Sequence, residues 1–162
     1  VEVADALRGT MEWVRNHNYY CPSAKLRHIV IKGHPVNPGA MVTLRQVYSD
    51  MLPEMSGRAH WVDDMSIHQL IDNAKVVATV NSGVGLEAIL HGKSVFTFGR
   101  ADYDTVTRSC PASLMGDKMP AAMELSYRDL NEEDIHIYKK FIDAWYNTHY
   151  DYEDPRTFEK IV

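Results

Sequence analysis

The stretch TVNSGVGLEAILHGKSVFTFG, from Thr79 to Gly99, decides the predicted fold of this 162-residue chain. With the preceding KVVA, it predicts a buried strand, a glycine turn, a short helix that stops at Gly92, and a second strand from Ser94 to Phe98. The valine run before the turn is nearly continuous, as expected for a strand covered on both faces. This order is the unit from which parallel α/β sheets are built.

The turn inside this stretch is a candidate anion site. Asn81 and Ser82 end the strand, and Gly83 and Gly85 lift the steric restriction on the backbone. A strand that leads through a glycine turn into a helix presents backbone N–H groups and the positive end of the helix dipole, which attract phosphate or carboxylate. Ser82 can add a hydroxyl, and Glu87 could accept hydrogen bonds from a ribose. The alternative is ordinary α/β architecture with Ser82 as a helix cap, because the pattern is neither GxGxxG nor a P-loop.

A second candidate motif follows the strand predicted within Arg27 to Lys32. This strand runs into Gly33-His34-Pro35, where Pro35 stops the ladder. His34 then lies at the carboxyl end of a strand, which is the edge where open α/β sheets bind ligands. With Lys32 close by, His34 could contact phosphate oxygens or protonate a leaving group. The alternative is a histidine that only caps the turn through the backbone.

Composition narrows the classes of function. The formal charge of −5 argues against nucleic acid as a partner, and no apolar run is long enough to span a bilayer. Cys21 and Cys110 lack metal-ligand spacing and fit a reducing compartment as thiols, so we expect a cytoplasmic protein without a metal site. The chain begins at Val rather than Met and shows no signal peptide, and we expect a fragment of a longer enzyme.

The remaining elements alternate in type along the chain. The spacing of apolar residues predicts helices, and Ala59 to Val62 is predicted as a short strand. The predicted helices outside the opening stretch are Val3–Val14, Pro38–Leu52, Ser66–Ala74 and Asp129–Asn147. Alternation of this kind gives a parallel sheet with helices on both faces. We therefore predict one Rossmann-like domain, a three-layer α/β/α sandwich over residues 1–162.

Two segments are predicted as loops. Asn16 to Ser23 is the first, and its adjacent tyrosines, Tyr19 and Tyr20, are expected to cover the edge of the core, with stacking on a base or sugar as the alternative. The second is the polar, turn-rich segment of residues 100–120, which is expected to lie over the strand ends, where Tyr103 could border the site.

Two of these motifs together resemble the bacterial capsule polysaccharide synthesis proteins, a group that includes the Kdo transferases that build capsule linkers. The first is IKGHP, and the second is VNSGVGLEAILHGKSVFTFGRADYD further along the chain. Residues that match the family pattern are Lys32, His34, Pro35, Thr79, Asn81, Ser82, Gly85, Leu86, Glu87, Ala88, Gly92, Lys93, Val95, Tyr103 and Asp104. The resemblance covers about half of the chain. Ser94 stands where the family usually has proline.

The resemblance implies the donor-binding, C-terminal half of a metal-independent GT-B glycosyltransferase that uses a CMP-activated acidic sugar such as Kdo. His34 would then contact the donor phosphate and stabilise the departing CMP. Ser82, with the N–H groups near Gly83 and Gly85, would hold the phosphate or the sugar carboxylate, and Glu87 would bind the ribose. Further residues placed by the resemblance at the nucleotide are Lys32, Asn81 and Tyr103.

The same resemblance sets the expected partners. They are a nucleotide sugar, a saccharide or glycolipid acceptor, and a further Rossmann-like half that would precede this one and supply the catalytic base. No cofactor is implied beyond the donor substrate, and peripheral membrane association is left open for the full-length protein. Two alternatives remain: a polyol phosphotransferase domain of the teichoic-acid type, which commonly has a doubled serine in its turn, and a non-catalytic module that binds an anion or a nucleotide.

Overall fold

The structure is a computed structural model that describes residues 3–21, 25–33, 38–110 and 118–149, with side chains described as far as Asn147. His34 and Pro35, which carry one of the two predicted motifs, lie outside the described residues, as does the tail from Tyr150 onward.

Helices and strands alternate along the described chain. They are α1 (Val3–Tyr20), β1 (Ile29–Lys32), α2 (Pro38–Met51), β2 (Ala59–Val62), α3 (Ile67–Asn73), β3 (Val76–Thr79), α4 (Val84–Leu90), β4 (Ser94–Thr97), β5 (Arg108–Ser109), α5 (Met119–Ser126) and α6 (Glu132–His149). A 3-10 turn, Leu52–Met55, extends α2 where Pro53 ends it.

Every strand pairing in the described part is parallel. β1 pairs with β2, with Ile29 opposite Ala59. β4 pairs with β3 on one side and with β5 on the other. The predicted α/β class with parallel strands flanked by helices is confirmed, and the layering is Rossmann-like. The described strands form two hydrogen-bonded sheets, β1–β2 and β3–β4–β5.

The helices cover β4 on both faces because its side chains alternate between two separate clusters. Phe96 packs with Phe98 and with residues of α1 and α5 in one cluster. Val95 packs with Ile71 of α3, Ala88 of α4 and Tyr138 of α6 in the other. All four residues of β4 are buried, which is what the apolar run SVFT predicts for a strand inside a three-layer sandwich.

The sheet formed by β1 and β2 is covered on one face. Ile29 and Ala59 point into a cluster with α1 and α2. Val30, one residue along β1, is 49% exposed, and His60 opposite it on β2 is exposed as well. The described chain therefore buries β4 completely and β1 only in part.

Two parts of the predicted element order are corrected by the structure. The predicted loop at residues 16–23 is helical as far as Tyr20, because the Asn18 side-chain amide bonds both backbone groups of Arg27 and holds the last turn of α1 against the chain that returns to β1. The predicted loop at residues 100–120 contains β5 and the start of α5. That helix forms because Met119 and Met123 pack against Phe96 in the core.

A buried arginine ties α1 to α5. The Arg27 guanidinium lies between the rings of Trp13 and Tyr127, 4.2 and 4.1 Å from their centroids. It donates to both carboxylate oxygens of Glu124, at 2.7 and 2.8 Å. These hydrogen bonds, which outweigh the opposing effect of partial burial, hold the pKa of Glu124 below its usual value.

Candidate functional site

The turn after β3 is closed by hydrogen bonds that converge on Ser82. Its N–H donates to Thr79 Oγ1 at 3.2 Å, and its Oγ accepts from the Val84 N–H at 3.3 Å. The Ser82 carbonyl oxygen accepts from the Gly85 N–H at 3.0 Å and also from the Tyr103 hydroxyl. Ser82 thus supports the first turn of α4, and its hydroxyl hydrogen can still be donated to a ligand.

Tyr103 lies beneath this turn and fixes its shape. Its side chain is only 4% exposed and packs in the cluster of α4 and α6. A Cβ at position 85 would collide with the Tyr103 phenol, so only glycine lets the ring come this close. Burial, with Asp102 adding to it and a hydrogen bond with Thr79 opposing it, raises the pKa of Tyr103 to about 12. The hydroxyl is therefore protonated and acts as a donor to the turn.

One part of the predicted anion site is corrected here. The N–H of Gly85, expected to be open to a ligand, donates to Ser82 within the turn, and the N–H of Val84 donates to the Ser82 hydroxyl oxygen. The reason is the tightness of the turn, because α4 begins at Val84 and its first amides bond back immediately. Groups that face solvent at the turn are the exposed Asn81 and Gly83, together with the partly buried Ser82.

The end of β1 carries the other predicted ligand contact. Lys32 Nζ donates to the backbone oxygen of Asp63, just past the end of β2, at 2.7 Å. The Asp63 carboxylate accepts from Trp61 Nε1 at 2.9 Å and from Arg45 Nη2 at 2.7 Å, and these hydrogen bonds lower its pKa. Gly33 packs against the Trp61 ring, where a Cβ would come within 3.3 Å. A side chain at this position would therefore have to displace its neighbours.

Glu87, the predicted ribose ligand, faces α3. Its carboxylate lies 3.9 Å from His68 Nδ1, and His68 stacks on His91 with ring centroids 5.5 Å apart. His91 Nδ1 in turn lies 2.7 Å from the Asp72 carboxylate. The Glu87 side chain is 40% exposed, so its carboxylate is open to solvent beside this histidine pair.

The structure thus brings most of the predicted site residues onto one unit. Asn81, Ser82, Gly83, Gly85 and Glu87 lie on the segment from β3 into α4, and Tyr103 supports it from below. Lys32 lies at the end of β1 in the other sheet. Sequence reasoning missed the role of Thr79, whose hydroxyl oxygen anchors Ser82. The available signal was the Thr-x-x-Ser spacing at the end of a predicted strand.

The described part of the chain contains neither a candidate metal centre nor a candidate membrane span. No group of three or more histidine, cysteine or acidic side chains is placed there to hold a metal ion. None of the described helices is long and apolar enough to cross a membrane. Cys21 is an exposed thiol and Cys110 a buried one, as the sequence predicts.

Comparison with known proteins identifies the family of this chain. The family described as "Capsule polysaccharide biosynthesis protein" matches residues 16–138, which contain both predicted motifs and the Ser82 turn. The chain belongs to this family. Membership confirms the coarser part of the sequence-based resemblance, the capsule polysaccharide family itself.

Several relatives in this family share part of the chain. The capsule polysaccharide export protein KpsS of Escherichia coli is 31% identical over 86 residues, which is 49% of this chain and 21% of that protein. The capsule polysaccharide modification protein LipB of Neisseria meningitidis serogroup A is 32% identical over 79 residues, which is 48% of this chain and 19% of that protein. Protein FixF of Sinorhizobium fredii is 32% identical over 100 residues, which is 57% of this chain and 23% of that protein.

The region shared with these relatives is a small part of their length. The matched region spans about a fifth of the length of the curated relatives, between 19% and 23%. No solved structure matches the chain.

Proposed function

We propose that this chain is the nucleotide-sugar-binding domain of a glycosyltransferase that acts in capsule polysaccharide synthesis. The observation that carries the proposal is the Ser82 turn at the carboxyl end of β3, held in shape by Tyr103. Ligands of open parallel α/β sheets bind at this edge, and a fixed hydroxyl donor beside exposed backbone suits a phosphate oxygen. Membership of the capsule family supports a sugar-phosphate ligand over other anions.

The proposed donor is a CMP-activated acidic sugar of the Kdo type. Ser82 would donate its hydroxyl hydrogen to the phosphate or to the sugar carboxylate, with Asn81 and Gly83 exposed beside it. Lys32 would add positive charge from the end of β1, where its ammonium group lies against the Asp63 carbonyl oxygen. Glu87 would accept from a ribose hydroxyl. Tyr103, being buried, would act by positioning the turn rather than by touching the donor.

The chemical step proposed for this half is stabilisation of the leaving CMP. As the bond between the sugar and the phosphate breaks, negative charge grows on the phosphate oxygen. His34 in its protonated form, together with Lys32 and the Ser82 hydroxyl, would offset this charge. Since His34 lies outside the described residues, its role rests on the sequence motif alone.

The acceptor and the base that activates it are proposed to bind to other parts of a longer protein. The relatives named above are four to five times longer than the region they share with this chain. A second Rossmann-like half is the proposed source of both, and the two halves would close on the donor. One of these relatives is named as a capsule polysaccharide modification protein, which supports an enzymatic role.

Calorimetric titration with CMP, CDP, UDP and GDP tests this proposal. We expect selective binding of CMP by the unsubstituted chain and weaker binding, by about tenfold, for His34→Ala and for Ser82→Ala. Matched controls are His136→Ala on α6 and Ser66→Ala before α3, because both side chains are exposed and lie outside the proposed site. Selective binding of UDP or GDP would overturn the donor assignment. No binding of any nucleotide would contradict the proposed function.

A further inference from the structure

A cleft of about 450 Å³ opens at the end of β1 and β2 opposite to Lys32 and Asp63. It lies between the last turn of α1 and the 3-10 turn that leads into β2, and residues immediately before both strands line it. Its lining includes the side chains of Arg15, Tyr19, Tyr20, Glu54 and Arg58. None of the residues that line the cleft belongs to the segment from β3 into α4, so the cleft is separate from the Ser82 turn.

Two tyrosines at the cleft contradict the prediction that they cover the edge of the core. Tyr19 and Tyr20 are each 76% exposed and meet edge to face, with ring centroids 4.9 Å apart. The helical course of α1 as far as Tyr20 points them outward, which is why the loop-based expectation is wrong. Exposed aromatic rings at the mouth of a polar cleft present flat apolar faces with hydroxyl handles, a combination that suits the C–H faces of sugar rings.

The charge of the cleft is set by two arginines that differ in their partners. Arg15 is paired with the Glu54 carboxylate, so its charge is largely compensated, and Glu54 remains exposed enough to accept from hydroxyl groups. Arg58 Nη1 donates to His28 Nε2 at 2.7 Å. An imidazole nitrogen accepts a hydrogen bond only when it carries no proton, so this neighbour orients Arg58 without neutralising it.

His60 extends this arrangement and fixes the tautomer of His28. Since His28 Nε2 accepts from Arg58, its proton lies on Nδ1, which is 3.1 Å from His60 Nε2 and donates to it. The two rings stack with centroids 5.4 Å apart. Partial burial, Arg58 and His60, in that order, lower the pKa of His28, so the neutral ring is favoured near neutral pH. The ion pairs formed among the described residues do not include Arg58, so within this part of the chain its positive charge at the cleft is not compensated.

We propose that this cleft binds an acidic saccharide chain, with sugar rings against Tyr19 and Tyr20 and a sugar carboxylate on Arg58. The choice of a saccharide rests on the proposed function in capsule synthesis, whereas the preference for an acidic one rests on Arg58. The cleft would hold a stretch of polysaccharide away from the donor turn. Such a subsite would keep a long acceptor attached between transfers.

Calorimetric titration of the chain with a tetrasaccharide of alternating glucuronate and N-acetylglucosamine tests this proposal, with the uncharged N-acetylglucosamine tetramer as the reference ligand. We expect the acidic ligand to bind more tightly than the neutral one. The double variant Tyr19→Ala with Tyr20→Ala should weaken binding of both ligands by about tenfold, because aromatic side chains contribute most of the binding free energy at such sites. Tyr19→Phe with Tyr20→Phe should keep most of the affinity, which separates stacking from loss of the hydroxyl groups.

A second pair of variants tests the charge. Arg58→Ala should remove the preference for the acidic ligand, and Arg8→Ala should not, since Arg8 is exposed on the same helix as the two tyrosines but does not line the cleft. Equal binding of both tetrasaccharides by the unsubstituted chain, or absence of binding, would overturn the proposal. Titration of the same samples with CMP distinguishes saccharide binding at the cleft from nucleotide binding at the Ser82 turn. Tyrosine and Arg58 variants should retain CMP binding, while Ser82→Ala should retain saccharide binding.

Discussion

The two strand–helix–strand units of this chain differ in how completely their strands are buried. The first unit is β1–α2–β2 and the second is β3–α4–β4. β4 of the second unit is buried along its whole length and packs against helices on both faces, whereas β1 of the first unit leaves Val30 49% exposed. The turn of the second unit is also tied from below, through Tyr103 and the Ser82 carbonyl. The proposed phosphate site thus belongs to the more completely buried unit, and a hydrogen-bond donor that its surroundings hold in place stabilises developing charge most effectively.

The two ends of the first unit show a second contrast. At the carboxyl end, Lys32, Arg45 and Trp61 are drawn together around Asp63 by hydrogen bonds. At the amino end, two tyrosines and Arg58 face an open cleft. The same pair of short strands therefore has Lys32 and Arg45 bonded to Asp63 at one end, and two exposed tyrosines with Arg58 at the other.

Truncation of a side chain in the buried strand β4 should cause the largest loss of stability. It directly tests the difference in burial between the two units. Phe96 is completely buried between Phe98 and the helices α1 and α5, so Phe96→Ala should lower the free energy of unfolding by about 3–5 kcal/mol. Val30→Ala, in the half-covered strand, should cost less than about 1 kcal/mol. Chemical denaturation measures both, and equal losses would show that the two units are covered alike.

Substitution of the glycine beneath the turn should have the next largest effect. Gly85→Ala places a methyl group against the Tyr103 phenol, and the resulting overpacking should cost about 1–3 kcal/mol of unfolding free energy. It should also weaken CMP binding, because the ring can make room only by moving the turn. For the free energy of unfolding, Gly83→Ala is the matched control, since a Cβ there meets nothing within 4 Å. A loss of stability at position 83 equal to that at position 85 would contradict the role given to Tyr103.

Removal of the Tyr103 hydroxyl should have a smaller effect that depends on pH. Its folded pKa is about 12, above the ordinary value of 10.0, so the folded state keeps a proton that the unfolded chain releases near pH 10. The contribution of the protonated Tyr103 to the free energy of unfolding is therefore complete below about pH 10, and it is lost as the pH rises towards 12. Tyr103→Phe should cost about 1 kcal/mol at neutral pH and should flatten this alkaline loss of stability.

Tyr138 provides the matched comparison for this experiment. Burial raises its pKa to about 12 as well, but it lies on α6 and bonds the backbone of Val95 rather than the Ser82 turn. Tyr138→Phe should flatten the alkaline loss of stability in the same way and leave CMP binding unchanged. Weaker CMP binding for Tyr138→Phe, to the same degree as for Tyr103→Phe, would mean that Tyr103 acts through the core alone.

The fold class could be predicted from the sequence because the decisive signals are local. The valine run of β3 and the apolar run of β4 predict covered parallel strands without any knowledge of their neighbours. α5 was missed because Lys118 to Pro120 has the composition of a turn, although proline is compatible with the first turn of a helix, where Pro120 lies. Its anchoring methionines are identified only by the cluster they join.

The place of the candidate turn in the fold could be predicted from the sequence, whereas its hydrogen bonds could not. The position of Ser82 at a strand end follows from the sequence pattern, and the structure brings most of the predicted residues onto one turn. The bond from the Gly85 N–H to the Ser82 carbonyl oxygen is local and depends on the exact geometry of the turn. The support that Tyr103 gives the turn depends on a contact between residues far apart in the chain. The outward course of Tyr19 and Tyr20 depends on the length of α1.

An NMR titration of the isotopically labelled chain with CMP, which follows each backbone amide, tests the proposed nucleotide site most directly. We expect the largest chemical-shift changes from Asn81 to Glu87, with smaller ones at Lys32 and Gly33. The amides from Arg15 to Tyr20, at the cleft before β1 and β2, should be unchanged. Shifts that centre on Arg15 to Tyr20, or a spectrum that CMP leaves unchanged, would contradict the claim that the Ser82 turn is the nucleotide site.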